Sequence, residues 1–106
     1  MTDKSVNSIT VDDSEQRARV HEIVDLVLDC NGFGRRNQEL TGELPTCFIW
    51  FCGHTATLEV QLCEDGWYAG APWQEFTFDL EGIISRAKIN ALRYALAAAL
   101  EGKEGA

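Results

Sequence analysis

The sequence is poor in basic residues. Among its 106 residues are nine Lys and Arg against 17 Asp and Glu, which gives a formal net charge of −8 and a pI near 4.6. A protein with this charge is repelled by nucleic acid and by anionic membranes, and it is attracted to basic surfaces. We therefore expect a protein partner with a basic surface, no direct contact with nucleic acid and no membrane association.

Long apolar runs are also missing. No stretch of the chain approaches the roughly 20 apolar residues of a membrane-spanning helix, and residues 1–10 lack the apolar run of a signal peptide. Both absences predict a cytoplasmic protein. Cysteines in a reducing compartment are usually free thiols, and we expect this state for Cys30, Cys47, Cys52 and Cys63.

Catalytic and cofactor motifs are absent as well. There is no Ser/His/Asp signature and no Gly-rich phosphate loop after a strand, so we expect a non-enzymatic protein without a cofactor. Cys52, His54 and Cys63 come closest to a metal site, but the chain has no C-x2-C pair. A Cys52–His54 dyad at a hairpin tip would be exposed and poorly supported. The favoured interpretation is half-buried strand cysteines and a turn histidine.

The clearest pattern that is present covers residues 46–63 and predicts a β-hairpin. Two apolar runs meet at Gly53-His54, and a Gly at the first position of a two-residue loop favours a type II′ turn that pairs Cys52 with Thr55. Side chains alternate between the two faces of a strand. One predicted face is entirely apolar and is assigned to the core: Cys47, Ile49, Phe51, Ala56, Leu58, Val60 and Leu62. The other face is mixed and is left for another element or a partner to cover: Phe48, Trp50, Cys52, Thr57, Glu59, Gln61 and Cys63.

Helical periodicity flanks this hairpin. An apolar stripe predicts a first helix over 13–31, with a capping box formed by Asp13 and Gln16 and with Gly32 after its C-terminus. The residues of the stripe are Val20, Ile23, Val24, Val27 and Leu28.

A second helix is predicted over 80–101, with Asp79 as its capping residue. One row of this helix consists of Ile84, Ala87, Ala91, Ala95 and Ala98, and the adjacent row of Ile89, Leu92, Leu96 and Leu100. Small alanines permit close packing against a sheet or another helix.

The connecting segments are rich in glycine. The loop before the hairpin contains the basic pair Arg35-Arg36, interpreted as a solvated loop tip with a phosphate or carboxylate contact as the alternative. A turn is predicted over 64–66, followed by a strand that begins at Trp67, is interrupted at 70–72 and continues over 73–80. The sheet then has three strands or four, and the length of the turn decides which face Trp67 occupies.

The order of elements, α-β-β-β-(β)-α, predicts an α+β fold in which two helices pack on one face of a small antiparallel sheet. Residues 12–101 form a single domain, residues 1–11 are expected as a disordered tail, and residues 102–106 as a frayed end. In this arrangement the sheet face that carries Phe48 and Trp50 stays open.

This order resembles that of the double-stranded-RNA-binding domain. Gly53-His54 before a strand and the segment Ser85-Arg-Ala-Lys-Ile-Asn-Ala91 are similar to the loop histidine and the helix motif of that family. The family's helix presents several lysines to phosphates, whereas this helix offers only Arg86 and Lys88 within a net charge of −8. RNA binding is therefore the third interpretation.

The segment Phe48-Ile-Trp-Phe-Cys-Gly-His-Thr-Ala-Thr-Leu-Glu-Val-Gln-Leu62, followed by Gly66-Trp67, resembles a hairpin of small bacteriophage accessory proteins of the anti-defence type. This resemblance implies a non-enzymatic inhibitor in the host cytoplasm. Such a protein would bind a host or defence nucleic-acid enzyme, in the manner of an anti-CRISPR protein, by steric and electrostatic contact.

The open face supplies the candidate site. Its aromatic residues are expected to anchor a partner, and its acidic residues to attract a basic surface. The predicted partner-binding residues are Phe48, Trp50, Glu59, Gln61, Glu64, Asp65, Trp67, Trp73 and Glu75. The alternative is a homodimer that buries the same face or the alanine row of the second helix.

Overall fold

The computed structural model describes residues 13–36, residue 39 and residues 42–104, of which 102–104 are described by their backbone alone. The elements in chain order are α1 (Ser14–Asn31), β1 (Thr46–Cys52), β2 (Thr57–Cys63), β3 (Gln74–Asp79) and α2 (Arg86–Glu104). The strands form an antiparallel sheet in the order β1-β2-β3. Helix α1 packs against β1, helix α2 packs against β3, and the helices contact each other. The predicted α+β fold is confirmed, while the predicted tail over 1–11 lies outside the described residues.

The core lies between the helices and one face of the sheet. It combines three residues of β2 that are completely buried with residues from both helices, from β3 and from the segment before α2. Its buried members are Ile23, Val27, Cys30, Cys47, Leu58, Val60, Leu62, Phe78, Ile84, Ile89, Leu92 and Leu96. The buried residues of α1 are Ile23, Val27 and Cys30. Leu28, which was predicted to belong to the apolar stripe, is 38% exposed.

The predicted register of the hairpin is wrong by two residues. Residues 53–56 form a four-residue turn, Cys52 pairs with Thr57, and Ile49 pairs with Val60. Ala56 stands in the turn with a φ of 53°. Because the error is an even number of residues, every strand residue keeps its predicted face.

Phe51 was assigned to the core, and the structure contradicts this. Its side chain is 58% exposed, although Ile49 on the same face of β1 is half-buried and Cys47 is buried. Helix α1 reaches β1 at the end that contains Cys47, so the hairpin end of this strand is left uncovered on the helix side.

The third strand begins later than predicted. Residues 66–73 are not in a strand, so the sheet has three strands in the described part of the chain. Gly66 explains the departure, because its φ is +90° and a Cβ atom there would stand 3.1 Å from the carbonyl oxygen of Gly42. Only glycine combines that backbone conformation with so close an approach. The connection between β2 and β3 is therefore a loop that carries Trp67 and Trp73.

Helix α2 begins at Arg86, about six residues later than predicted, and its backbone continues to Glu104. The side chain of Asp79 accepts a hydrogen bond from the Glu81 amide at 2.9 Å and so caps a bend. The hydroxyl of Ser85 accepts one from the Lys88 amide at 3.3 Å, which is the capping role expected of Asp79. In the alanine row, Ala87, Ala91 and Ala98 are exposed, and Ala95 is partly buried.

Two polar side chains attach α1 to β1. The amide of Asn31 donates to the Cys47 carbonyl at 2.9 Å and accepts from the Cys47 amide at 2.8 Å, as a neighbouring strand would. Arg36 donates to the carbonyl oxygens of Cys30 and Pro45, both at 2.7 Å. The predicted solvated pair thus divides, because Arg36 holds the end of α1 while Arg35 remains exposed.

The predicted capping box is also wrong. The side chain of Asp13 makes no capping hydrogen bond, and Gln16 instead joins α1 to the segment that precedes α2. Its amide nitrogen donates to the carbonyl oxygens of Leu80 and Gly82 at 3.2 and 2.9 Å, and its oxygen accepts from the Ile84 amide at 2.9 Å.

We expect Gln16→Ala to lower the free energy of unfolding by about 1–3 kcal/mol, because it removes the partner of the backbone amide of buried Ile84. Urea denaturation measures this change. Arg17→Ala is the matched control, since it removes only an exposed i,i+4 ion pair with Asp13 and should cost at most about 0.5 kcal/mol. Equal losses in the two variants would contradict a structural role for Gln16.

Candidate functional site

The face of the sheet that points away from the helices is defined by the alternation of β2. Since Leu58, Val60 and Leu62 are buried in the core, Glu59 and Gln61 point to the other side. The pairing then places Trp50, Glu59 and Thr77 in one row across the three strands, and Phe48, Gln61 and Glu75 in the next. We call this surface the open face.

Aromatic side chains occupy one edge of the open face. Phe48 and Trp50 are two residues apart on β1, and their rings stack with centroids 5.9 Å apart and an interplanar angle of 18°. Trp50 is nevertheless 47% exposed. The stack therefore orients both rings and leaves a large part of the indole to solvent.

The loop between β2 and β3 folds beside this stack, and together they line an open hollow of about 300 Å³. We call it the aromatic hollow. Its lining consists of Phe48, Trp50, Gln61, Cys63, Trp67, Tyr68, Gly70, Ala71 and Trp73. All four aromatic residues predicted to bind a partner therefore meet at one place. Trp67 lies on the same side of the sheet as Phe48 and Trp50.

Tyr68 was not predicted to belong to this site. A strand through residues 67 and 68 would have sent their side chains to opposite faces, whereas the loop places both around the hollow. The two adjacent aromatic residues after Gly66 could have indicated that Tyr68 belongs to the site. The predicted strand hid this, because it placed Tyr68 and Trp67 on opposite faces.

The four acidic residues predicted for the site fall into two groups. Glu59 and Glu75 lie on adjacent strands of the open face, in neighbouring rows. Glu64 and Asp65 lie at the end of the sheet, beside a smaller hollow of about 130 Å³ that is also lined by Trp73. The Glu64 carboxylate accepts a hydrogen bond from the Gln74 amide at 2.5 Å.

Glu59 and Glu75 are close enough to affect each other's ionisation. The Glu75 carboxyl raises the pKa of Glu59 as a hydrogen-bond partner, and partial burial and charge repulsion between the two groups act in the same direction. Two carboxylates that crowd each other in this way attract a cation, because a positive charge would relieve their repulsion.

The helix side of the molecule has a different electrostatic character. Glu22 on α1 accepts hydrogen bonds from Arg86, at 2.8 Å, and from Arg93. The hydrogen bond from Arg86 is the main cause that lowers the pKa of Glu22. Since Arg19 also pairs with Glu15 at 2.7 Å, several of the few cations are already engaged by acidic groups on this side.

Cys52, His54 and Cys63 are not brought together. Cys52 and His54 lie at the hairpin turn, and Cys63 lies at the other end of β2, about 20 Å away at the usual rise of a strand. No group of three metal-ligating side chains is found in the described ranges. A hydrogen bond from the Thr55 side chain is the main cause that lowers the pKa of Cys52, with backbone amides of the turn adding to it.

Two other thiols lie at the junction of α1 and β1. Cys30 and Cys47 are buried, and the Cys30 thiol donates a hydrogen bond to the Pro45 carbonyl oxygen at 3.6 Å. The neighbouring Cys47 thiol and the Arg36 charge lower the pKa of Cys30, whereas the Cys30 thiol and burial raise the pKa of Cys47. Because both thiols are enclosed by the core, they serve packing rather than the open face.

Comparison with known proteins adds no relative, since no protein family, curated protein or solved structure matches this sequence. Neither α1 nor α2, as far as they are described, has the combined length and apolar character that crossing a membrane requires.

Glu59→Gln tests the crowded carboxyl pair. Because the pKa of Glu59 is raised in the folded protein, this group favours folding most at a pH below its unfolded-state pKa, and that contribution declines as the pH rises through the folded-state pKa. We therefore expect the variant to have a higher Tm than the wild type at pH 7, and the difference to vanish below about pH 4. Thermal unfolding at a series of pH values measures it.

Glu81→Gln is the control for this experiment, since it removes an equal charge from an exposed position outside the pair. If it shifts Tm by the same amount and with the same pH dependence, the effect reflects net charge and not the Glu59–Glu75 contact.

Proposed function

We propose that this protein is a non-enzymatic binding module whose open face recognises the basic surface of a partner protein. The observation that carries the proposal is the aromatic hollow beside the Glu59–Glu75 pair, on the side of the sheet that neither α1 nor α2 covers. The residues of the site come from β1, β2, β3 and the loop before β3, so the site forms only when the sheet is folded.

The exposure of the aromatic residues supports a protein partner. All three tryptophans of the chain line the hollow, and Trp50, Trp67 and Trp73 are 47%, 46% and 57% exposed. Tryptophan and tyrosine are enriched at the centres of protein interfaces, where they contribute a large share of the binding energy. An isolated fold gains nothing from keeping three indoles partly in water.

The charge distribution supports a basic partner. Among the described residues, no basic side chain lines the aromatic hollow, and the chain as a whole carries −8. Complementary charge of this kind accelerates encounter and selects among partners.

The finer proposal concerns the partner. A basic channel that binds nucleic acid in a host or defence enzyme matches the charge of this protein, and a bound acidic domain would exclude the nucleic acid sterically, as in an anti-CRISPR-type inhibitor. RNA binding by α2 is less favoured, since Arg86 is paired with Glu22 and Lys88 donates to the Thr77 carbonyl at 3.1 Å.

Affinity capture from host lysate tests the proposed site. We expect the intact protein to retain a partner and the double variant Phe48→Ala/Trp50→Ala to lose it, because the aromatic stack is removed. Tyr94→Ala is the matched control, since Tyr94 is an aromatic residue on α2 that is 72% exposed and lies away from the hollow. Retention of the same partner by all three proteins would exclude the aromatic hollow as its site.

A second candidate function, homodimerisation, is favoured by the outer edge of β1. Backbone groups of alternate residues in an edge strand point away from the sheet. The amide and carbonyl groups of Cys47 point outwards, because both bond to the Asn31 side chain. By alternation, the amide and carbonyl groups of Ile49 and Phe51 also point outwards. These two residues have no outer backbone partner among the described residues.

The two edges of the sheet differ in their protection. No residue of β1 is charged, whereas the outer edge of β3 carries acidic residues and is covered at Thr77 by Lys88. Charged residues and covering side chains are the usual means by which edge strands avoid pairing with another chain. The edge of β1 lacks both beyond Cys47.

A two-fold pairing of β1 with itself that is centred on Trp50 uses the outward backbone groups of both Ile49 and Phe51. Because Asn31 occupies Cys47, a second copy can bond only to Ile49 and Phe51. Ile49 then lies opposite Phe51 of the partner subunit, and Trp50 lies opposite Trp50 of the partner subunit. Such a contact would cover the ring of Phe51, which is 58% exposed.

Sedimentation velocity over a concentration series tests the dimer. We expect the wild type to move towards a dimer as its concentration rises, and Phe51→Lys to remain monomeric because it places a charge on the pairing edge. Tyr94→Lys, which adds the same charge on α2, should associate like the wild type. A wild type that stays monomeric at the highest concentration would rule out the dimer.

A further inference from the structure

We propose that the aromatic hollow binds an arginine side chain presented by the partner, with the guanidinium group against its rings. The inference rests on the proposed function, because it names the chemical group by which a basic partner would be recognised. It follows from the arrangement of the rings, from the size of the hollow and from the charges beside it.

The rings form separate walls. Phe48 and Trp50 come from β1, Trp67 and Tyr68 from the start of the loop, and Trp73 from its end. Among the described residues, the Phe48–Trp50 pair is the one ring pair in stacking contact. Trp67, Tyr68 and Trp73 are 46%, 40% and 57% exposed, so part of each ring is available to a ligand.

The size of the hollow suits a side chain. Its volume of about 300 Å³ lies at the lower end of the roughly 300–1,000 Å³ of pockets for small molecules and cofactors. It is open to solvent on one side, as a site that receives a residue from a partner surface must be.

The charges beside the hollow select a cation. Glu59 is the cross-strand neighbour of Trp50, and Gln61, which lines the hollow, is the cross-strand neighbour of Glu75. Residues that are directly opposite in a sheet have Cβ atoms about 5 Å apart. Glu59 and Glu75 do not line the hollow, but they lie on the strands beside it. A cation over the rings would therefore contact the electron-rich ring faces, and the two carboxylates would add attraction from nearby.

Arginine fits this combination better than lysine does. A guanidinium group is planar, so it stacks on aromatic rings while its N–H groups donate at its edge to a carboxylate or to the Gln61 amide oxygen. It is also less strongly hydrated than an ammonium group and enters an aromatic site at lower cost. The base of a nucleotide would stack on the same rings, but the phosphates of the nucleic acid would be repelled by Glu59 and Glu75.

The test uses the intact protein and three short, otherwise identical peptides that contain arginine, lysine or citrulline at one central position. Citrulline keeps the shape of arginine and removes its charge. Isothermal titration calorimetry and tryptophan fluorescence measure binding at 0.15 M and 0.5 M salt. We expect the arginine peptide to bind at least tenfold more tightly than the citrulline peptide and several-fold more tightly than the lysine peptide. We expect the preference over lysine to persist at the higher salt concentration, because stacking is short-ranged.

Variants with unchanged net charge separate the hollow from general electrostatic attraction. Trp67→Leu and Trp73→Leu remove exposed rings and are expected to abolish the preference for arginine over lysine, whereas Tyr94→Leu should keep it. Circular dichroism checks that each variant is folded. Equal binding of the arginine peptide by the wild type and both hollow variants would overturn the proposal, as would equal binding of the arginine and citrulline peptides. An oligouridine is titrated as the nucleic-acid ligand, and the proposal would also be overturned if it bound more tightly than the arginine peptide.

Failure of this inference differs from failure of the proposed function. If the partner is captured through Phe48 and Trp50 but the arginine, lysine and citrulline peptides bind equally well, only the arginine site is overturned. Loss of both results would overturn the open face as a binding surface.

Discussion

The pairing of β2 with strands on both sides is the constraint on which the rest of the structure depends. Leu58, Val60 and Leu62 are completely buried, so the alternation of this strand decides which side of the sheet belongs to the core. Through its two ladders the same alternation is imposed on β1 and β3. The open face, with its aromatic and acidic residues, is the necessary counterpart of a core face that contains no charge.

Where α1 lies on the sheet is decided by polar contacts at its two ends. Gln16 attaches its first turn to the segment after β3, and Asn31 attaches its last residue to β1. The helix therefore runs across the sheet between opposite edges. This direction leaves the hairpin end of β1 uncovered, which accounts for the exposure of Phe51 and for the unprotected part of the strand edge.

Local sequence patterns predicted the elements that depend on local periodicity and failed where distant contacts decide. The alternation in β1 and β2 identified both faces of the hairpin, although Gly53-His54 did not reveal the length of the turn. The strand expected at Trp67 is absent because Gly66 packs against the backbone of residue 42, a contact that no local pattern announces. The four aromatic residues that were predicted for the site lie together in the structure, but their convergence required the loop, which is why Tyr68 was not included.

The two proposed interactions of β1 share Trp50, and this links them physically. A dimer formed through the edge of β1 would place Trp50 of the partner subunit beside the Phe48–Trp50 stack. The Cβ atoms of the two Trp50 residues would then be about 5 Å apart. The second indole would then cover part of the aromatic hollow and bring a second set of acidic residues near its rim. An arginine-bearing partner and a second copy of the chain would therefore compete, and the dimer, if it forms, lowers the availability of the hollow as the protein concentration rises.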